Sequence, residues 1–461
     1  VVFAVSGTTD TNEFETVNLV SAGATANTVD INDSGDNNPA GLKTLNVTGA
    51  TKLTMTLAGG AATATYDGSL ATGVQNITFG GNYTTIKTGS AADTIDASGG
   101  SFLGSTAPKT IVGGDGADVL KLGENVANLN SSTSGVSHSI SGIETVQYTV
   151  KVLEADDADK AFSYAADKVT GESTIKVGID NEDTGSTDEA KMTITGITDE
   201  VVEFTAQEDN TQGVNTLVVG IKTATGTADE INVTSGARAA GSVNKLDTLT
   251  VSNAAETLNL TQNTANTTAG AKGLTISDLN VATTNKVVLT GAGGLAVGTA
   301  ELADPTGTTT AEIDATGNTG GITLGAAGAD FKDTNTDTFT VKLGAGTNKV
   351  YGGTEWLAAD VVTGSSGTDT VFITEGDDSG TATEFTVTGV DSVEIAPSAT
   401  AAHNGPVSAK KFTDVGKIVV NDAAHTGNEG QTITNLGSGQ LVELNGATNG
   451  FNGDTIILNN A

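Results

Sequence analysis

The sequence predicts an all-β fold, wound as the stacked coils of a parallel β-solenoid or β-roll, with an inserted β-rich, sandwich-like domain. Three observations predict it. Short segments that alternate apolar residues with Thr or Asn dominate the chain, among them ETVNLV at 15–20, LTMTL at 53–57 and QNITF at 75–79. This is the period-2 pattern of half-buried strands. A glycine-rich phrase returns at near-constant spacing within 321–373: GAAGADF from Gly325, GAGTNKV from Gly344 and GSSGTDTV from Gly364, 19 and then 20 residues apart. A fixed internal period of this length signals stacked coils. An acid followed by Thr or Ser and an apolar residue also opens several strands, at Glu144, Asp247, Glu256 and Asp391.

Residues 1–150 read as solenoid. Strand phrases are separated by Gly, Asn and Asp clusters, as turns require. The phrase GGDGADVL at 113–120 is preceded by the degenerate GSAADTI at 89–95, and Gly89 and Gly113 are 24 residues apart. Glycines permit φ > 0 and leave carbonyls exposed, and Asp adds hard carboxylate oxygens. Carbonyls with carboxylates suit Ca²⁺, which takes 6–8 oxygen ligands. Asp115, Asp118 and Asp369 are the leading candidate ligands, with Asp93, Asp330 and the neutral oxygen of Asn348 beside them. The alternative for each Asp is capping of a turn, which needs no metal.

Residues 151–210 are more charged (EADDADK at 154–160, DNED at 180–183) and are expected to form the inserted domain, with a short helix over 162–169 and strands at 192–194 and 201–204. Residues 211–395 return to solenoid phrasing. Residues 396–461 read as a C-terminal β segment ending NGDTIILNNA. The chain opens VVFAV, as if in mid-strand, so it is expected to be the C-terminal part of a longer protein or a processed one.

Composition narrows the function classes. Lys and Arg number 21 against 55 Asp and Glu, a formal net charge of −34. That argues against nucleic acid and anionic membranes as partners, since both carry like charge. There is no cysteine, so neither disulfides nor thiol catalysis is available. No run of 18 apolar residues suggests a transmembrane helix. Catalysis has little support. His138, His403 and His425 lie far apart without HExxH spacing, no GxSxG or Walker loop occurs, and Arg238 is the one arginine. The expectation is a protein that is not an enzyme.

The stretch GGDGADVL matches the nonapeptide GGxGxDxUx of RTX (repeats-in-toxin) proteins. With its Thr-, Ala-, Asn- and Gly-rich body, the chain resembles the RTX-related, type I-secreted surface-layer (S-layer) proteins of Gram-negative bacteria, of the Caulobacter kind. The long uninterrupted nonapeptide runs of the family's toxins and proteases are not present here. The resemblance implies Ca²⁺ held by the motif Asp and the glycine-turn carbonyls: Gly113, Asp115, Gly116 and Asp118, then Gly344, Gly346 and Asn348, then Gly364, Gly367 and Asp369. It implies an extracellular subunit that self-assembles laterally into a calcium-dependent lattice on the cell surface. Lipopolysaccharide would be bound through a region absent from this chain. The end at 452–461 is similar to a type I export signal, with an ordinary last strand as the alternative. A calcium-dependent adhesin is the second reading, and a β-helix polysaccharide enzyme the third.

Overall fold

The computed structural model describes residues 15–31, 41–57, 64–80, 83–99, 108–123, 138–152, 159–181, 188–208, 214–223, 228–238, 242–253, 255–263, 272–281, 284–302, 311–327, 331, 338–352, 356–374, 384–396, 407–422, 430–446 and 455–459. The described secondary structure is β-strand apart from one turn of 3₁₀ helix, Ala166–Lys168. Among the described residues no helix is long and apolar enough to cross a membrane. The chain divides into two compact units, one of residues 1–204 with 209–213, the other of 205–208 with 214–461. Each is a parallel β-solenoid, as the sequence pattern predicts.

In the first unit the chain alternates between two parallel sheets as far as Val152, after which Lys160–Ala165 and Glu189–Ile197 belong to a third. One carries Thr16–Val20, Thr44–Gly49, Ala64–Ala71, Tyr83–Lys87, Thr110–Val112, Ser139–Ser141 and Val169–Thr170; the other carries Asn27–Ile31, Leu53–Leu57, Gln75–Phe79, Thr94–Ala97, Val119–Leu122, Thr145–Val152 and Thr174–Asn181. Alternation of side chains along each strand turns register into vertical columns. Val29, Met55, Ile77, Ile95, Leu120, Val146 and Ile175 are successive register partners, and all are buried. One residue earlier, Thr54, Asn76, Thr94, Val119, Thr145 and Thr174 form an outward row. The Thr and Asn phrases thus follow from a core fed by every second residue.

The second unit repeats the scheme. Ile231, Leu258, Val287, Ile313, Val341, Val362 and Val387 make one buried column. Opposite it Val350, Val371, Val393 and Ile418 make another.

Three details differ from the sequence expectation. The strands within 151–210 do not form a separate sandwich: Thr174–Asn181 pairs in parallel with Thr145–Val152, and Glu189–Ile197 with Lys160–Ala165. The extra acids of 180–183 begin where a coil strand ends, and Asp180 itself lies within that strand. The expected helix over 162–169 is the strand Lys160–Ala165 followed by the 3₁₀ turn. Tyr164 and Ala166 are buried there, and packing outweighs the modest helix propensity of FSYAADKV. Finally, the 19-residue step from Gly325 to Gly344 is not a coil. Thr323 pairs with Lys349, 26 residues on, and Gly344 stacks against Asn318 and Ala315. The step from the second phrase to the third is a coil, with Asn348 opposite Asp369.

Candidate cation site in the glycine turns

The acid that opens several of the strands has a structural use. Where the chain turns into a sheet, one backbone N–H faces the next coil with no ladder carbonyl to receive it, and a buried N–H needs an acceptor. In the first unit side chains supply it: Gln75 N–H donates to Asp93 Oδ1, Asp93 N–H to Asp118 Oδ1 and Asp118 N–H to Glu144 Oε2, each at 2.7 Å. The second unit uses the same device. Asn215 N–H donates to Asp247 Oδ2 and Asp229 N–H to Glu256 Oε2 at 2.8 Å, and Asp369 N–H to Asp391 Oδ2 at 2.7 Å. The recurrent opener is therefore a column of carboxylates stapling one coil to the next.

The turn at 113–118 adds something further. Gly114 and Gly116 have φ of +104° and +127°, values an L side chain rarely adopts. Asp115 is exposed, and its N–H donates to Gly89 O at 3.0 Å, so the turns beginning at Gly89 and Gly113 stack as the sequence spacing predicts. Asp118 is fully buried. Its Oδ1 is occupied by Asp93 N–H, while Oδ2 makes no hydrogen bond among the described residues. A Cβ placed on Gly113 would lie 2.7 Å from this Oδ2 and 1.8 Å from Gly142 O. Gly113 thus allows Gly142 O and Asp118 Oδ2 to approach its backbone closely, as Gly364 does for Gly389 O and Asp369 Oδ2. Burial, with the negative charges of Asp93, Glu144 and Asp115 nearby, pushes the Asp118 carboxyl up to about 7 despite its hydrogen bond from Asp93. An orphaned, charge-crowded carboxylate oxygen beside a carbonyl fits a hard cation.

The other candidates are placed differently. Asp93 is buried with both oxygens engaged, Oδ1 by Gln75 N–H and Oδ2 by Gly89 N–H at 3.0 Å. Burial raises its carboxyl and those hydrogen bonds oppose the rise. At the later turns Asn348 Oδ1 accepts from Ile322 N–H, and its Nδ2 donates to Gly344 O at 2.6 Å and to Asp369 Oδ1 at 2.7 Å. Asp369 Oδ2 accepts from Ser365 N–H at 2.5 Å, and Ser365 Oγ donates to Gly344 O. Cβ atoms on Gly367 and Gly364 would each lie 2.0 Å from a carbonyl oxygen, that of Gly346 and of Gly389 respectively. These turns are closed polar networks in which glycine lets backbones approach. Asp330 lies outside the described residues, as do His403 and His425. Among the described residues no three His, Cys, Asp or Glu side chains converge as a metal cluster, so an ion at Asp118 would rest on one carboxylate and backbone carbonyls.

Two buried groups carry no motif and escaped the sequence reading. Glu172 is 7% exposed, with Oε2 accepting from Tyr164 Oη–H at 2.6 Å and Oε1 without a hydrogen bond among the described residues. Burial drives its carboxyl up to about 8, with Glu200 adding to the rise. Lys109 is 1% exposed, its Nζ donating to Tyr83 O at 2.5 Å, and burial lowers its ammonium to about 8. His138 Nδ1 accepts from Lys109 N–H at 3.1 Å, and burial lowers its pKa. A buried acid set in a strand-opening turn is the signal that would have found Glu172.

Comparison with protein-family models, with curated proteins and with solved structures finds no match for this chain.

Proposed function

We propose that this chain is a structural subunit of a bacterial surface layer, secreted by a type I exporter and assembled laterally with its copies into a calcium-dependent lattice. The observation that carries the reading is Asp118 Oδ2, a fully buried carboxylate oxygen with no hydrogen bond among the described residues, set close to the Gly113 backbone in a chain of net charge −34. Asp118, with carbonyls of the 113–118 turn and Gly142, would hold the ion. Ca²⁺ bound there supplies the positive charge that the carboxylate column lacks. Coupling of metal binding to folding is the general rule for such sites. Side-by-side packing sets acidic faces against each other, and divalent counter-ions would offset that repulsion. Lipopolysaccharide anchorage belongs, on this reading, to a region outside the chain.

Far-UV circular dichroism and sedimentation velocity during calcium titration, with EDTA reversal, test it. The expected result is a gain of β signal and of large, EDTA-reversible particles in calcium, weakened by Asp118→Asn. A chain that folds in calcium yet stays monomeric at high concentration refutes the lattice and favours the adhesin. Indifference of both signals to calcium refutes the ion site.

A further inference from the structure

At one coil of the first unit the carboxylate column lapses. Asp118 and Glu144 open the strands Val119–Leu122 and Thr145–Val152, but Ser173 opens the next, Thr174–Asn181. Ser173 N–H donates to Glu144 O at 3.0 Å, so it asks for no carboxylate from the coil that follows. Glu200 stands in the opener position of that following coil, where Val201 N–H donates to Ser173 O at 2.9 Å. Its carboxylate stays within its own turn: Oε2 accepts Thr198 N–H at 2.6 Å and Asp199 N–H at 3.1 Å, and Oε1 accepts the Thr198 hydroxyl at 3.0 Å.

A second acid turns inward beside Ser173. Glu172 lies two residues before Thr174, as the fully buried Ile143 lies two before Thr145, the register partner of Thr174. An acid thus occupies a place that is apolar one coil earlier. Glu172 and Glu200 are 7% and 6% exposed. Tyr164 Oη–H donates to Glu172 Oε2 at 2.6 Å, while Glu172 Oε1 has no hydrogen bond among the described residues. Neither acid makes an ion pair with a described residue. Burial first, then the charges of Glu172, Glu200 and Asp167, hold the Tyr164 phenol well above its ordinary value, and the Glu200 charge also acts on Glu172. Two buried carboxylates from successive coils therefore lie about one phenol. Buried charges are paired or coordinate metals, and here no described side chain supplies the positive partner.

We propose that Glu172 and Glu200, with the phenol oxygen of Tyr164, form a binding site for a hard divalent cation, Ca²⁺ or Mg²⁺, which ties two coils together where the carboxylate staple lapses. Two carboxylates balance the charge of one divalent ion, and carboxylate, phenol and carbonyl oxygens suit hard ions. Among the described residues no three His, Cys, Asp or Glu side chains converge, so backbone carbonyls and water complete the shell. The site shares no residue with Asp118, and its existence depends neither on that site nor on lattice formation.

The test uses the full chain carrying Asp118→Asn, which silences the other site, at pH 8. Tb³⁺, a hard ion whose emission is sensitised by a nearby excited Tyr, is the probe, with Ca²⁺ and Mg²⁺ as competitors. Saturable Tyr-sensitised emission is expected, displaced by Ca²⁺ or Mg²⁺, and the stronger competitor is the ion assigned. Glu172→Gln and Glu200→Gln are each expected to weaken binding of Tb³⁺ and of the competitor by about tenfold or more. Tyr164→Phe is expected to remove most of the emission per bound ion. Circular dichroism in EDTA reports whether each variant keeps its β signal. Should Glu200→Gln lose it, because Thr198 and Asp199 N–H need their acceptor, Glu172→Gln and Tyr164→Phe decide the matter. Affinity and emission unchanged in these variants overturn the proposal, as does emission that neither Ca²⁺ nor Mg²⁺ displaces. Either result leaves Glu172 as a protonated core acid held by Tyr164.

Discussion

Replacement of Asp118 by Asn separates the structural use of the carboxylate column from its use as a cation site. Asp118 is buried, receives Asp93 N–H on Oδ1 and has no hydrogen bond to Oδ2 among the described residues. Asn keeps the Oδ1 acceptor and removes the charge. Burial and neighbouring acids raise the folded-state carboxyl from 3.8 to about 7. The folded protein therefore holds the proton more tightly than the unfolded chain. Stability from this group is fully present below about pH 4 and falls as pH rises to about 7, by at most about 4 kcal/mol. In EDTA, Asp118→Asn is expected to lie within about 1 kcal/mol of the natural chain at pH 4.5, and to exceed it in stability by several kcal/mol at pH 8. Urea midpoints followed by circular dichroism give the comparison. Calcium at about 100 times its Kd, at pH 8, adds about 2.7 kcal/mol to the natural chain and not to the variant. A difference that stays within about 0.5 kcal/mol from pH 4.5 to pH 8 refutes the assignment of a charge-crowded Asp118. A calcium increment equal in both proteins refutes the ion site while leaving the column intact.

Two other predictions follow from the same columns. Glu172 is buried, held by Tyr164, and raised to about 8, so its contribution to stability is lost as pH climbs from about 4.5 to about 8; Glu172→Gln should be the more stable form at pH 9 in urea melts, and equal pH profiles would contradict the placement. Ile95 is fully buried between its register partners Ile77 and Leu120, so Ile95→Ala should cost about 2–5 kcal/mol, whereas Thr94→Ala on the outer row should stay within about 0.5 kcal/mol; comparable urea midpoints for the two variants would contradict the inward and outward assignment.

Much of the fold is local and so was legible. LTMTL can bury Leu53, Met55 and Leu57 only by facing Thr54 and Thr56 outward, and a two-residue period says so without a structure. The glycine turns were legible too, because GGDGADVL needs positive φ at Gly114 and Gly116 wherever it folds. The acid openers were visible as a repeat, but their role was not. Whether Asp93 or Asp118 has an oxygen to spare depends on Gly89, Gln75 and Gly142, which lie on the same or neighbouring coils at sequence separations that local pattern cannot fix. Coil length is likewise a tertiary quantity. Register partners in the first column are 26 residues apart at Val29 and Met55 but 18 at Ile77 and Ile95, because the turns absorb different lengths of chain. That is why equal spacing misled at Gly325 and succeeded at Gly364. The charged segment 151–210 looked foreign by composition, yet its strands carry inward residues such as Ile175, Met192 and Ile194, and stacking of those side chains placed it in the solenoid. Sequence alone determined that the chain forms parallel coils with glycine turns, since that follows from side-chain period and backbone sterics. Only the tertiary structure decided which coil lies on which, and hence that most candidate ligands are spent on backbone N–H groups while Asp118 keeps one oxygen free of hydrogen bonds, because hydrogen-bond satisfaction is settled between coils and not along the chain.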